Sequence, residues 1–245
     1  MVSGQTESTQ KYDVIGDVHG CINELTQLLE RLGYVDGVHP ERRQVIFLGD
    51  LVDRGPDSPG VLKIAMRMVH LGSALAVRGN HEEKLIRALS GRSIHASHGL
   101  EVTLRQLEKE SGAFRANVRA FCESLPHHLV LDDGRLVVAH AGLAENLHGV
   151  DSGRAKSFAL YGDTTGKVDD YGLPVRLPWQ NDYRGEAVVL YGHTPMLSTS
   201  WVNNTMCLDT ACVFGGALSA LRYPELELVH VKAEREWYPP SRPLA

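Results

Sequence analysis

Three things are missing or scarce in this 245-residue chain, and each absence excludes a class of protein. No apolar run approaches the length that crosses a bilayer. Residues 1–10, rich in Ser, Thr and Gln, have neither the positive start nor the apolar centre of a secretory signal. A cytoplasmic protein with a loose N-terminus over 1–10 is the expectation. Positive charge is short as well: 25 Lys and Arg against 30 Asp and Glu leave a net charge of −5. That balance argues against a nucleic-acid polymer as the main partner, although it permits a local basic pocket. Cysteine is scarce, and Cys21, Cys122, Cys207 and Cys212 follow no metal-finger spacing, so reduced, buried thiols are expected. Internal repeats and low-complexity tracts are absent. What is present, 43% hydrophobic and 22% charged residues, suffices for one sizeable core. One domain over 11–235 is expected, followed by a C-terminal tail at 236–245.

Along the chain, short apolar runs at Tyr12 to Ile15, Val45 to Leu48 and Ala74 to Val77 read as buried parallel strands. Between them, Ile22, Leu25, Leu28, Leu29 and Leu32 recur at helical spacing, and Pro59 opens a second helix reaching about Leu71 with Ser58 as its cap. The start is therefore βαβ. From Glu82 to about Ser124 the pattern is helical and polar, which predicts a helical insert. Leu129 to Leu131 and Leu136 to Ala139 read as strands joined by a turn at 132–134. Residues 141–185 show weak periodicity and read as a long loop or lid. Five further strands are expected at 187–190, 200–202, 205–208, 217–221 and 226–231.

Three glycine-flanked segments then stand out in order: Gly16-Asp17-Val18-His19-Gly20, Gly49-Asp50-Leu51-Val52-Asp53-Arg54-Gly55 and Gly79-Asn80-His81-Glu82. Each follows an apolar run, and glycine lets the backbone turn sharply at the strand end, where side chains from neighbouring strands converge. His140 and His193 repeat the arrangement further on. Asp17, His19, Asp50, Asn80, His140 and His193 make a mixed oxygen and nitrogen set, too hard for copper(I) and too rich in nitrogen for calcium. Two divalent transition ions suit it. Asp50 would bridge them, Asp17 and His19 would serve one, and Asn80, His140 and His193 the other. Such a pair, about 3.5–4 Å apart, acidifies a bridging water and clamps a phosphoryl oxygen, which is hydrolysis by in-line attack. His81 would then be the general acid for the leaving oxygen, with Asp53 orienting its imidazole. Arg54 and Arg78 would neutralise the other phosphoryl oxygens.

Taken singly, an Asp before Gly is ordinarily a turn residue and a strand-end His an ordinary surface or core group. Six such positions in one ordered series are not explained that way. Arg54 has an alternative as an ion-pair partner of Asp57. His39, His70, His95, His98, His127, His128, His148 and His230 fall outside the segments and receive no role. For Asp209 a structural turn and a role behind the ligands are equally open. Tyr161, Tyr171, Trp179 and Tyr183 in the 141–185 stretch offer faces for a nucleotide base, against the plainer reading of ordinary packing.

These segments resemble the calcineurin-like metallophosphoesterases, in the branch that holds Ser/Thr protein phosphatases and bacterial diadenosine tetraphosphatases. The resemblance spans residues 12 to 232. It implies an α/β fold of two packed mixed β-sheets flanked by helices, and a metal pair, commonly manganese with iron, zinc, nickel or cobalt as alternatives, on the six residues named. The roles of His81, Asp53, Arg54 and Arg78 agree with it. Gly192-His193-Thr194-Pro195, with Leu208-Asp209-Thr210, Gly215-Gly216 and Leu221-Arg222-Tyr223-Pro224, looks most like asymmetric dinucleoside tetraphosphatases and the phosphatase module of bacterial polynucleotide kinase-phosphatases. Ala141 stands where many protein phosphatases carry a second glycine. The implied substrate is a dinucleoside polyphosphate. Phosphoprotein, an RNA end or 2′,3′-cyclic phosphodiester, and a non-catalytic metal-bound scaffold are the alternatives; the scaffold would lack a ligand or the acid, and none is missing.

Overall fold

In the computed structural model the described residues are 10–92 and 97–244, so the expected loose N-terminus (apart from Gln10) and His95 lie outside them. The chain begins β1 (Tyr12–Ile15), α1 (Ile22–Leu32), β2 (Gln44–Phe47), α2 (Ser58–His70) and β3 (Ala74–Ala76), with the three strands parallel as expected. In α1, Leu25, Leu28, Leu29 and Leu32 form the buried stripe, and Gly33, at φ +96°, closes the helix where a side chain would be strained. The cap of α2 differs by one residue from the sequence expectation. Asp57 caps it by accepting the Gly60 N–H at 2.8 Å, and Ser58 is instead the first helical residue. Its hydroxyl is engaged elsewhere, by the Asp53 N–H at 3.1 Å.

The helical insert comprises α3 (Asn80–Leu89), α4 (Leu100–Glu108) and α5 (Gly112–Ser124). Then come β4 (His128–Leu131), β5 (Leu136–Ala139), α6 (Gly153–Tyr161), a hairpin of β6 (Thr164–Val168) and β7 (Pro174–Arg176), and β8 (Val188–Tyr191). The stretch expected as a loop or lid therefore holds a helix and a hairpin. The hairpin is short and mostly exposed and leaves no apolar period, whereas α6 buries Ala155, Phe158, Ala159 and Leu160, a short stripe at helical spacing that the sequence reading passed over. The chain ends with β9 (Trp201–Val202), β10 (Thr205–Cys207), β11 (Ala217–Tyr223) and β12 (Glu227–Lys232).

Two five-stranded mixed sheets result, ordered β12-β11-β1-β2-β3 and β4-β5-β8-β10-β9. Strand alternation sorts the core into three layers. Val14, Ile46 and Leu48 from the first sheet meet Leu136, Val138 and Leu190 from the second. Ile15, Val45 and Phe47 point the other way, onto the helices. Val137, Ala139 and Val189 pack on the far side against Phe158 and Tyr183. The fold is thus helices, sheet, sheet and a further helical layer. Each large side chain withdrawn from water this way contributes about 1.5–3 kcal/mol. All four cysteines are free and buried. Among the described residues no helix is long and apolar enough to cross a membrane.

Candidate metal centre

The ends of β1 and β2 in the first sheet and of β5 and β8 in the second open onto one place, and parallel strands bring their C-terminal loops to the same edge. Asp17 and His19 follow β1, Asp50 follows β2, Asn80 opens α3, and His140 and His193 follow β5 and β8. His19, Asp50, Asp53, Arg54 and His193 all lie at positive φ, between 45° and 76°. Side chains rarely adopt that conformation, at a cost of order 1–3 kcal/mol each, so the surroundings must hold them there.

They do so by stitching loop to loop. The His19 N–H donates to Asp50 O at 2.8 Å and the Gly20 N–H to Leu51 O at 2.9 Å. The buried Glu82 carboxylate accepts the N–H groups of Asp50 (2.8 Å), Leu51 (2.8 Å) and Gly79 (2.9 Å), fixing the β2 loop to the start of α3. Across the sheets, the His193 N–H donates to Asp17 Oδ2 at 3.0 Å. Gly192 is required there, because a Cβ would lie 1.9 Å from Asp17 Oδ1.

The donor atoms converge on Asp50, which is 2% exposed. His140 Nε2 lies 3.4 Å from its Oδ1, and His19 Nε2 lies 3.6 Å from its Oδ2. His140 Nε2 is also 2.9 Å from both Asn80 Oδ1 and His193 Nδ1. The outer nitrogens of two rings are tied down: His19 Nδ1 donates to Val52 O at 2.7 Å, and His140 Nδ1 to Leu48 O at 3.0 Å. Their Nε2 atoms therefore carry lone pairs toward the centre. Two groups of potential ligands, His19 with Asp50 and His81, and Asp50 with His140 and His193, share Asp50.

Electrostatics marks the same place as short of positive charge. Burial raises the Asp17 carboxyl well above the ordinary range, with Asp209 and Asp50 adding to it, and holds Asp50 at about 6. Glu82 and Asp209 are each pushed to about 7, chiefly by burial. Burial lowers His140 to about 4 and drives His19 and His193 well below the usual imidazole value. Carboxylates that resist ionising beside imidazoles that refuse protons call for cations of another kind. The donor set, oxygen and imidazole nitrogen with one shared carboxylate, fits two divalent metal ions.

His81 sits beside the cluster with its roles divided between two nitrogens. Nδ1 donates to Asp53 Oδ2 at 2.6 Å, and Nε2 faces the cavity, 3.1 Å from Arg54 Nη2. A guanidinium only donates, so Nε2 presents a lone pair to it. Burial raises Asp53 to about 8 and lowers His81 well below its usual value, so both groups resist charge where no metal is bound. Thr103 Oγ1 accepts the Asp53 N–H at 2.9 Å. Arg54 Nη1 also reaches His19 Nε2 at 2.6 Å, and no ion pair with Asp57 forms among the described residues.

Arg78 is not brought in. It pairs with Glu83 at 3.2 Å and donates to the Glu123 carbonyl, away from the cavity. A second guanidinium enters from a place the sequence did not point to: Arg176 of β7 lies with Nη2 2.7 Å from His193 Nε2. Glu82 was equally unassigned, although it completes the Gly-Asn-His-Glu segment. Of the four aromatics, Tyr161 lines the cavity, whereas Trp179 and Tyr183 pack with Phe158 and Tyr191, and Tyr171 is exposed.

The profile of the calcineurin-like phosphoesterases matches residues 11–229. An asymmetrical bis(5′-nucleosyl)-tetraphosphatase PrpE of Anoxybacillus flavithermus is 44% identical over 228 residues, covering 90% of this chain and 93% of that one. Its counterpart in Geobacillus thermodenitrificans is 43% identical over 235 residues, covering 93% and 96%. A crystal structure provisionally described as a diadenosine tetraphosphatase superposes with a TM-score of 0.68 at 24% identity, covering 93% of this chain and 95% of that one, which speaks for the fold. With the profile spanning nearly the whole folded region and the donor cluster at its centre, the chain belongs to the calcineurin-like phosphoesterases.

Proposed function

We propose that this protein is a binuclear metal-dependent hydrolase that cleaves the phosphoanhydride chain of bis(5′-nucleosyl) tetraphosphates. The observation that carries the chemistry is the shared Asp50 carboxylate between two groups of potential ligands, with His81 facing the same cavity. The substrate class rests on likeness to the two PrpE relatives. Asp17, His19 and Asp50 would hold one ion, and Asp50, Asn80, His140 and His193 the other. When bound, a pair of divalent ions, manganese in our reading, supplies a water acidic enough to ionise near neutral pH and charge to polarise a phosphoryl group.

The remaining work falls to this chain's own side chains. His81, which lines the cavity, would be the general acid for the departing phosphate oxygen once its Nε2 has taken up a proton and turned from Arg54, while Asp53 keeps the ring oriented through Nδ1. Arg54 and Arg176 neutralise the oxygens that are not attacked; Arg176 takes the part that the sequence reading gave to Arg78. Asp209 lies behind Asp17, where its side chain accepts the Ala211 N–H at 3.1 Å and steadies the loop.

Incubating manganese-loaded protein with diadenosine tetraphosphate, a phosphopeptide and a 2′,3′-cyclic nucleotide, followed by product analysis, tests the assignment. ATP and AMP in equal amounts are expected. Two ADP would make the cleavage symmetric. Inertness toward the dinucleotide with phosphate released from the peptide would move the protein to the phosphatases of phosphoproteins.

A further inference from the structure

The segment that the sequence set apart as a C-terminal tail is bound to the body of the domain. Phe214 and Glu236 form a β-bridge, and the N–H groups of Trp237 and Tyr238 donate to Val213 O at 3.0 and 3.1 Å. Trp237 Nε1 donates to the buried Glu24 at 2.9 Å, and both aromatic rings pack on the core. From that anchorage residues 240–244 run over the donor cluster and form a wall of the cavity above it, whose volume is ≈ 660 Å³. Pro239, Pro240 and Pro243 stiffen the run by restricting the backbone.

The wall carries a cation. Arg242 Nη1 pairs with Asp169 Oδ2 at 3.2 Å, and Asp169 sits in the turn of the β6–β7 hairpin, its other oxygen fixed by the N–H groups of Tyr171 and Leu173. The same hairpin carries Arg176 into the donor cluster. Arg54, Lys84, Arg176 and Arg242 thus line one cavity. Among the described residues the only carboxylate within ion-pair distance of any of the four is Asp169. Four cations line the cavity against one lining acid, Asp50, and an extended anion suits that excess. One phosphoryl group accounts for Arg54 and Arg176, which touch the histidines. It does not account for Arg242, which is held by the hairpin turn.

We propose that residues 240–244 and the β6–β7 hairpin form a subsite for the continuing polyphosphate chain, with Arg242 receiving phosphate beyond the group at the metal centre. The proposal deepens the tetraphosphatase reading and rests on it for the identity of the natural ligand. Arg242 is here a specificity residue, since it contacts the unreacting part of the substrate.

Inhibition of p-nitrophenyl phosphate hydrolysis by inorganic tripolyphosphate and by orthophosphate, at a fixed excess of manganese so that chelation is equal throughout, separates the subsite from the centre. Arg242→Ala is expected to raise the ratio of the tripolyphosphate to the orthophosphate inhibition constant about tenfold, and Arg242→Lys to raise it less. The ratio of kcat/KM for diadenosine tetraphosphate over p-nitrophenyl phosphate should fall about tenfold, mainly through KM. An unchanged tripolyphosphate-to-orthophosphate ratio in both variants would overturn the subsite. If the wild-type protein leaves the dinucleotide intact while tripolyphosphate inhibition still depends on Arg242, the subsite stands and the tetraphosphatase reading falls.

Discussion

At the scale of single residues, the division of labour in His81 is the most exposed to test. Nδ1 is committed to Asp53, so only Nε2 can serve the leaving oxygen. His81→Ala should lower kcat by about 10²- to 10⁴-fold on a substrate with a poor leaving group, and by much less on p-nitrophenyl phosphate, whose leaving group needs little help. Metal content measured by atomic absorption should remain that of the wild type; a loss of metal would instead make His81 a ligand, as its 3.8 Å distance from Asp50 allows. Most of these residues are legible in the sequence because glycine brackets them at strand ends. Arg176 is not: it lies on a hairpin strand that is mostly solvent-facing, and an arginine between Val175 and Leu177, with no glycine beside it, carries no mark of where it points. Arg78 misled for the converse reason. It adjoins Gly79 and Asn80 in sequence, but the chain turns at the start of α3 and directs its side chain to Glu83.

At the scale of elements, the site depends on the joint between the β2 loop and α3. Glu82 satisfies three N–H groups, two from the loop and one from Gly79, and no water replaces it because the residue is fully buried. Glu82→Gln keeps the size but turns one acceptor oxygen into a donor that meets an N–H. A loss of about 1–3 kcal/mol is expected, seen as a fall in Tm of roughly 2–12 °C by calorimetry. An unchanged Tm would show that the joint is held by other contacts. Elements buried on one face or both, such as α1 and β2, are readable because their apolar spacing is forced by the core. The β6–β7 hairpin is exposed along most of its length, so no core forces a pattern on it, and α6 has only nine residues, too few to set a clear period although its stripe is buried.

For the whole molecule, the imbalance of charge at the centre predicts how stability responds to pH. Asp53, Glu82 and Asp209 hold protons in the folded state up to about 8, 7 and 7, whereas their ordinary values are 3.8, 4.5 and 3.8. Their contribution is complete below those ordinary values and is lost as pH rises through the folded ones. The depressed histidines act oppositely, but their contribution is already complete above 6.5, the ordinary imidazole value. Between pH 6.5 and 8 the metal-free protein should therefore lose stability, by a few °C in Tm on the scale of about 2–4 °C per kcal/mol, and manganese should flatten the slope. Thermal melts in EDTA and in manganese across that range decide it; a rising Tm in EDTA would contradict the charge assignment. The two sheets share this centre unequally, four donors from the first and two from the second. The layer of Val14, Ile46, Val138 and Leu190 between them consequently works as a gauge block. Its thickness, about 10 Å between facing sheets, sets the gap across which carboxylate and imidazole must meet. A hydrophobic core far from any substrate is in this sense part of the metal's coordination tolerance.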